Sequence, residues 1–136
     1  PAEVRGLVIV SGKEDNFVVG ADIDEVIAMK SDRETRTYIS RANDILNRID
    51  ALPIPVVSCI HGNCLGGGLE VALASDYRIA ADSPKTVMGL PEVMLGLLPA
   101  GGGTQRLPRL IGLRESLPDA GGKECPGTEG PQARPH

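Results

Sequence analysis

The sequence predicts an α/β fold in which short, largely parallel strands alternate with helices. Residues 6–10 and 56–60 are runs rich in β-branched side chains, and each has the length of a strand. Helical patterns follow at residues 31–49 and 69–75, after polar or glycine-rich turns. Strands that alternate with helices in this way favour a largely parallel sheet with helices packed on it.

The first strand is expected at residues 6–10, where the sequence is Gly-Leu-Val-Ile-Val. All of its faces are apolar, which is typical of a strand that is buried on both sides. Residues 11–19 are interpreted as a polar loop. Later in the chain, short strands are expected at residues 76–81 and 86–88, and a helix is expected at residues 104–111.

Two helices with clear start signals are expected before the second strand. Asp22 can cap a short helix that extends through Lys30. Ser31, followed three residues later by Glu34, is a capping-box pattern for a longer helix. Prolines at positions 53 and 55 end that helix. Its apolar residues recur at intervals of three and four and form one stripe, which consists of Ile39, Ala42, Leu46 and Ile49.

Composition limits both the size and the partners of the protein. The 136 residues, 41% of them hydrophobic, are enough for one domain or part of one. Fourteen basic against eighteen acidic residues give a net charge of −4, so nucleic acid is not expected as a partner. The apolar runs fall far short of the ~20 residues of a membrane helix. No targeting segment is visible, and the expected location is the bacterial cytoplasm or the mitochondrial matrix.

The cysteines and the C-terminal region carry negative signals. Cys59, Cys64 and Cys125 are odd in number and lack Cys-x-x-Cys spacing, which argues against a disulfide framework or a zinc site. With one Phe and two Tyr, the core is expected to be aliphatic. Residues 114–136 hold four Pro and four Gly without strand or helix periodicity. They are predicted to be a disordered tail after a domain at residues 1–113, with a packed irregular loop as the alternative.

The strongest chemical pattern lies at residues 61–70. Gly66, Gly67 and Gly68 stand between a strand and a helix, where bare backbone N–H groups at the positive end of the helix dipole can receive an anionic group. Glu70 lies in the first helical turn and could act as a base. A tight turn with a helix-capping glutamate is the alternative, and this segment alone does not decide between the two.

Other functions of glycine-rich loops lack their required residues here. No Gly-Lys-Ser/Thr follows the glycines, and their spacing is not that of a dinucleotide-binding loop. No Gly-x-Ser-x-Gly occurs, so the nucleophile elbow of a serine hydrolase is absent from the sequence. His61 is therefore expected to be structural, and no metal site is predicted.

Two further stretches complement this pattern. Residues 19–22 form a second glycine-containing turn before a helix, and their N–H groups could converge with those of residues 66–68 on one oxygen atom. Glu92 is a second carboxylate in an apolar setting, where burial would raise its pKa and suit it to donate a proton. Two carboxylates in different surroundings indicate an acid and a base.

Residues 11–23, 61–74 and 88–109 together resemble, in the right order, the motifs of the enoyl-CoA hydratase/isomerase (crotonase) family. Within it they are most similar to the hydratase domain of the fatty-acid oxidation multienzyme α-subunit. The resemblance covers residues 3–113. It implies a crotonase-like (ClpP/crotonase) fold with repeated ββα units, here with an incomplete core, and hydration of trans-2-enoyl-CoA to 3-hydroxyacyl-CoA in fatty-acid β-oxidation.

The resemblance also implies roles for individual residues. Glu70 and Glu92 match the catalytic glutamates, and Ala21 and Gly67 match the positions whose N–H groups bind the thioester oxygen. The implied substrate-binding residues are Val19, Gly20, Asp22, Ile23, Gly66, Pro91 and Leu97. No cofactor is implied, because coenzyme A is part of the acyl-CoA substrate. Isomerase activity at the same site and an inactive acyl-CoA-binding fragment are the alternative functions, and the family forms homotrimers or multienzyme complexes.

The sequence departs from the family pattern at both ends. The first strand and hairpin of the family would precede Pro1, and after Leu113 the apolar helices that close the acyl pocket are replaced by the Pro/Gly-rich stretch. These departures predict a chain truncated at both ends, with a reading frame shifted near residue 114.

Overall fold

Three successive ββα units make up the chain in the computed structural model, which describes residues 3–117. The first unit contains β1 (Leu7–Val10), β2 (Asn16–Val19), α1 (Ile23–Ile27) and α2 (Asp32–Asp50). The second contains β3 (Val56–Ile60), β4 (Asn63–Leu65) and α3 (Gly67–Ala74). The third contains β5 (Tyr77–Ala80), β6 (Val87–Gly89), a 3₁₀ helix (Pro91–Leu95) and α4 (Gly103–Ile111), followed by α5 (Leu113–Ser116). The repeated ββα order confirms the expected fold class.

The strands form two parallel sheets rather than the one predicted from the sequence. The first strand of each unit joins one sheet in the order β1-β3-β5, and the second strand joins the other in the order β2-β4-β6. All strand pairs in both sheets are parallel. Because each unit adds one strand to each sheet, the carboxyl ends of β2, β4 and β6 lie side by side.

The strand expected at residues 86–88 is observed as β6, but β2 and β4 of the same sheet lie where the sequence predicts no strand, because both are short and lack alternation. Residues 11–19 were interpreted as a loop, but Asn16–Val19 form β2, and β4 lies within the stretch interpreted as a glycine turn. Asn16 pairs with Asn63 along the backbone, and the Asn63 side-chain amide donates to Asn16 Oδ1 at 2.8 Å. These strands are therefore specified by partners some 47 residues apart in sequence, which a local pattern does not report.

The core lies between α3 and the inner sides of the strands. Its buried members come from β2, β3, β4 and α3, namely Phe17, Ile60, Cys64, Leu69, Ala72 and Leu73. The prediction of an aliphatic core holds apart from Phe17, which is 1% exposed and is the largest fully buried side chain in the described range. Its placement on β2 is what attaches the second sheet to α3.

The helix start signals are confirmed. Asp22 Oδ1 accepts hydrogen bonds from the N–H groups of Asp24 and Glu25, so it caps α1, although α1 ends at Ile27 rather than at residue 30. Ser31 Oγ accepts from Glu34 N–H at 3.3 Å, and the Glu34 carboxylate accepts from Lys30 N–H at 2.9 Å. Helix α2 then packs against α3, with Leu46 of the predicted stripe fully buried.

One face of the β1-β3-β5 sheet is apolar and open to solvent. In register, Val8, Val57 and Tyr77 form one row across the three strands, and Val10, Cys59 and Ile79 form the next. Val8 is 61% exposed, Val10 64% and Ile79 58%. The prediction that residues 6–10 form a strand buried on both sides is therefore wrong: only its inner face meets the core, because burial depends on what covers the sheet and not on the strand itself.

This exposed face should bind a hydrophobic dye. We expect the fluorescence of 1-anilinonaphthalene-8-sulfonate to rise on mixing with the folded chain, because contiguous apolar surface of this kind is uncommon on monomeric proteins. The paired replacement Val8→Thr with Ile79→Thr should reduce the signal, whereas Thr37→Ala, on the exposed side of α2, should not. A dye-silent wild-type chain would contradict the exposure of this face.

The predicted tail overlaps the described range only at its start. Residues 114–116 belong to α5, which continues directly from α4 through Gly112. The rest of the predicted tail, residues 118–136, lies outside the described residues. Cys125 is within that range. The division of the chain at residue 113 stays a prediction.

Candidate active site

Two glycine turns meet at the carboxyl end of the β2-β4-β6 sheet. The N–H of Gly20, just after β2, donates to Leu65 O at 2.8 Å, and the N–H of Gly66, just after β4, donates to Gly89 O at 2.9 Å. These bonds continue the strand pairing by one step, so the residues after the strands stay in contact. A Cβ atom on Gly67 would lie 3.8 Å from the backbone nitrogen of Ala21.

The N–H groups of Ala21 and Gly67 are available to a ligand. Gly67 is the first residue of α3, where backbone N–H groups have no partner within the helix. Within residues 3–117, neither N–H donates to a main-chain carbonyl. The structure thus brings together the two donors that the sequence analysis paired, one from each turn.

Glu70 is buried and held from the far side of the site. It is 5% exposed, and its Oε1 accepts a hydrogen bond at 2.8 Å from the N–H of Gly103, the first residue of α4. This bond holds the carboxylate at the start of α4. Gly101 and Gly103 are also buried, so the turn before α4 covers the Glu70 side chain.

Glu92 has a different environment in the 3₁₀ helix. Its Oε2 is buried and has no hydrogen-bond partner, while Oε1 lies 3.0 Å from where a Cβ atom on Gly66 would be. Burial, with a smaller contribution from the charge of Glu70, raises the pKa of Glu92 above its usual range, against the opposing effect of a backbone hydrogen bond. The charge of Glu70 therefore acts on Glu92, and the raised pKa makes Glu92 easier to keep protonated than an exposed glutamate.

The raised pKa of Glu92 gives a prediction for stability. A carboxyl whose pKa is higher in the folded state binds more protons folded than unfolded, so its stabilising contribution is present at low pH and is lost as pH rises through the folded pKa. The unfolding free energy of Glu92→Gln relative to wild type should therefore increase as pH rises from about 4. Urea denaturation over a pH series measures this, with Glu14→Gln as an exposed control. A pH-independent difference would contradict the raised pKa.

The other predicted site residues are placed around this centre. Gly20 and Gly66 form the two turns, Val19 ends β2, and Pro91 begins the 3₁₀ helix. Asp22 acts as the cap of α1. Three apolar side chains predicted to bind substrate are exposed to solvent, namely Val19, Ile23 and Leu97. None of them belongs to the hydrophobic core cluster.

The residues that hold Glu70 are not among those predicted from the sequence. Gly101 and Gly103 belong to a visible run of three glycines before a helix, and that run was the available signal. Asn43 on α2 and Arg106 on α4 contact this turn through hydrogen bonds to Ala100 O and Gly101 O. The Arg106 bond to Gly101 O spans five residues, whereas the Asn43 bond to Ala100 O forms only when α2 packs beside the turn, so nothing in the local sequence marks Asn43.

The remaining candidates lie outside the site. His61 Nε2 forms a 2.8 Å hydrogen bond with Lys13 O, which fits the structural role expected for it. In the described part of the chain, no three His, Cys, Asp or Glu side chains are grouped to hold a metal ion. Among residues 3–117, no helix combines the length and apolar character needed to cross a bilayer.

Comparison with known proteins decides the family. The model of the enoyl-CoA hydratase/isomerase family matches residues 2–117. The chain belongs to this family. It is 55% identical over 116 residues to the fatty acid oxidation complex subunit alpha of Aliivibrio fischeri, and this match covers 85% of the chain but 17% of the relative.

Solved structures of enoyl-CoA hydratases have the same fold as this chain. The enoyl-CoA hydratase of Bacillus anthracis is 40% identical with a TM-score of 0.77, over 85% of this chain and 44% of that one. The enoyl-CoA hydratase of Thermoplasma volcanium is 33% identical with a TM-score of 0.80, over 89% of this chain and 48% of that one. The chain therefore spans less than half the length of these relatives.

Proposed function

We propose that this site adds water across the C2–C3 double bond of a trans-2-enoyl-CoA and yields the 3-hydroxyacyl-CoA. The observation that carries the proposal is the pair of carboxylates in different surroundings, Glu70 bonded to Gly103 N–H and Glu92 with an unpartnered buried oxygen, beside two open N–H groups. The membership of the hydratase/isomerase family supports it.

The N–H groups of Ala21 and Gly67 would bind the thioester oxygen. Attack of water at C3 moves electron density onto that oxygen and gives an enolate, so donors fixed in advance at the oxygen stabilise the transition state more than the substrate. Removal of one donor of this kind typically costs ~3 to 4 kcal/mol of barrier. Both donors are main-chain groups at the ends of β2 and β4, so the sheet itself keeps them in place.

The two glutamates divide the proton transfers. Glu70, held in place by the hydrogen bond from Gly103 N–H, would take a proton from the attacking water, whose oxygen bonds to C3. Glu92, with its raised pKa, would give a proton to C2 of the enolate. The adduct then carries the hydroxyl of water at C3 and the proton of Glu92 at C2. Return of one proton from Glu70 to Glu92 through solvent restores both side chains, so the net reaction consumes one water and no electrons are lost or gained.

Acid–base catalysis by Glu70 and Glu92 requires no bound cofactor. We propose that coenzyme A enters the site only as part of the thioester substrate. The 55% identity to a fatty acid oxidation complex subunit supports fatty-acid β-oxidation as the setting. Assembly into a homotrimer or a multienzyme complex, expected from the family resemblance, belongs to the same proposal.

Loss of the absorbance of the enoyl thioester tests the function. The purified chain is mixed with crotonyl-CoA, and formation of 3-hydroxybutyryl-CoA is followed in parallel by chromatography. Turnover to this product supports hydration by residues of this chain. Binding of crotonyl-CoA without turnover would support an inactive acyl-CoA-binding role instead, and conversion of 3-enoyl-CoA alone would support isomerase activity.

A further inference from the structure

Helix α2 holds the turn that covers Glu70. The Asn43 side-chain amide, half-buried on α2, donates to Ala100 O at 2.7 Å and also to Ile39 O of its own helix at 3.0 Å. Asn43 thus joins the backbone of α2 to Ala100, the residue immediately before the three glycines at 101–103. The separation of 57 residues in sequence makes this a purely tertiary contact.

Arg106 makes a second connection between α2 and the same turn. Its Nη1 donates to Gly101 O at 2.9 Å, and its Nη2 donates to Asn47 Oδ1 at 2.8 Å. Its Nε lies 3.5 Å from Asp50 Oδ2 without forming a hydrogen bond, so that contact is ionic. The side chain is 12% exposed, and the planar guanidinium uses its two ends to join two elements.

The turn held in this way is fitted closely around Glu70. A Cβ atom on Gly101 would lie 2.4 Å from Glu70 Oε2, and one on Gly103 would lie 3.0 Å from Oε1. A Cβ atom on Gly102 would lie 2.3 Å from Arg106 Nη1. Small displacements of the turn would therefore alter the contacts of the carboxylate directly, because no side chain separates the two.

We propose that Asn43 and Arg106 are positioning residues for the site, because they fix the turn at residues 100–103 so that Gly103 N–H meets the Glu70 carboxylate. Their side-chain hydrogen bonds go to the turn and to α2 and not to Glu70 or Glu92, so they act through the backbone of the turn. The proposed catalytic role of Glu70 rests on the hydratase function, whereas the geometric claim, that α2 holds Gly103 N–H on Glu70, can be measured without any turnover.

Amide hydrogen exchange at Gly103, followed by NMR on the full chain, tests the geometric claim. In Asn43→Ala we expect the Gly103 amide to exchange about tenfold faster than in wild type, because the loss of one hydrogen bond makes local opening of the turn easier. The amides of β3 and α3 should keep their wild-type exchange rates. Arg106→Lys, which keeps the charge near Asp50 but loses the planar fork, should give the same local change. The matched control is Thr37→Ala, which removes a side-chain bond to Arg33 O on the same helix.

Two outcomes would overturn the proposal. Unchanged exchange at Gly103 in both variants would show that the turn keeps its place without α2. Equal acceleration at every amide would show that the two side chains serve global stability only.

Hydration kinetics form a separate arm of the test. If the wild-type chain turns over crotonyl-CoA, Asn43→Ala should lower kcat at least tenfold and change KM less than twofold. The reason is that a misplaced catalytic group lowers the rate of the chemical step by about one order of magnitude. A change in KM alone would count against positioning of Glu70. If the wild-type chain has no activity, the hydratase function fails, and the exchange measurement still decides whether Asn43 and Arg106 hold the turn.

Discussion

Glu70→Gln and Glu92→Gln are each expected to lower the rate of crotonyl-CoA hydration by about 10²- to 10⁴-fold, the usual contribution of a positioned acid or base. Glutamine keeps the size of the side chain but can neither accept the proton of water nor deliver one to C2. At position 70 it also places an amide near Gly103 N–H, where the carboxylate now accepts a 2.8 Å hydrogen bond. The rate of loss of the enoyl-thioester absorbance measures both variants.

The controls separate chemistry from binding and folding. Both variants should still bind crotonyl-CoA, because the N–H groups of Ala21 and Gly67 belong to the backbone and are not altered. Glu14→Gln, which removes an exposed carboxylate in the loop before β2, should keep the wild-type rate. Full activity in either Glu70→Gln or Glu92→Gln would reject the proposed mechanism, and an inactive wild-type chain would reject hydration by these residues alone.

The residues of the candidate site were accessible from the sequence because they lie at the ends of local elements. Gly66 and Gly67 lie at the start of α3, and Gly20 and Ala21 lie just before the cap of α1, so each glycine-containing turn is recognisable by the helix that follows it, although β2 and β4 are not. Their convergence follows from parallel pairing of β2 with β4, which places equivalent ends side by side. Glu70 and Glu92 are then marked by their position near these turns.

What could not be predicted depends on contacts between distant parts of the chain. The apolar sequence of β1 predicts burial on both sides, but Val8 and Val10 are exposed. An apolar sequence shows that a segment favours burial, and it does not show whether another element packs on that face of the sheet. Asn43 lies 57 residues from Ala100, and Arg106 lies 59 residues from Asn47, so these two bonds form only when α2 and the start of α4 pack together. Such side chains have no local pattern that would mark them.

Gly68→Ala is expected to destabilise the fold by about 3 kcal/mol or more, at the upper end of what overpacking costs. Gly68 lies in the first turn of α3, where the helix crosses β2. A Cβ atom there would lie 2.1 Å from Val18 O and 2.7 Å from Val18 C, and backbone atoms of a paired strand cannot move aside as a flexible side chain can. The helix must shift away from β2, which also weakens the packing of Phe17. Thermal denaturation should show a Tm lower by roughly 10 °C or more.

Gly67→Ala is the matched control for this stability measurement, because it adds the same methyl group one residue earlier in the same helix. A Cβ atom on Gly67 would meet no atom closer than 3.7 Å, and alanine favours the helical state over glycine by up to about 1 kcal/mol. Its Tm should equal or exceed that of wild type. Since α3 carries both Gly67 and Glu70, the shift forced by Gly68→Ala would also move the Gly67 N–H away from the Ala21 N–H, and the Glu70 carboxylate away from Gly103 N–H. Equal stability of the two variants would mean that α3 does not pack on β2 as closely as Gly68 and Val18 indicate.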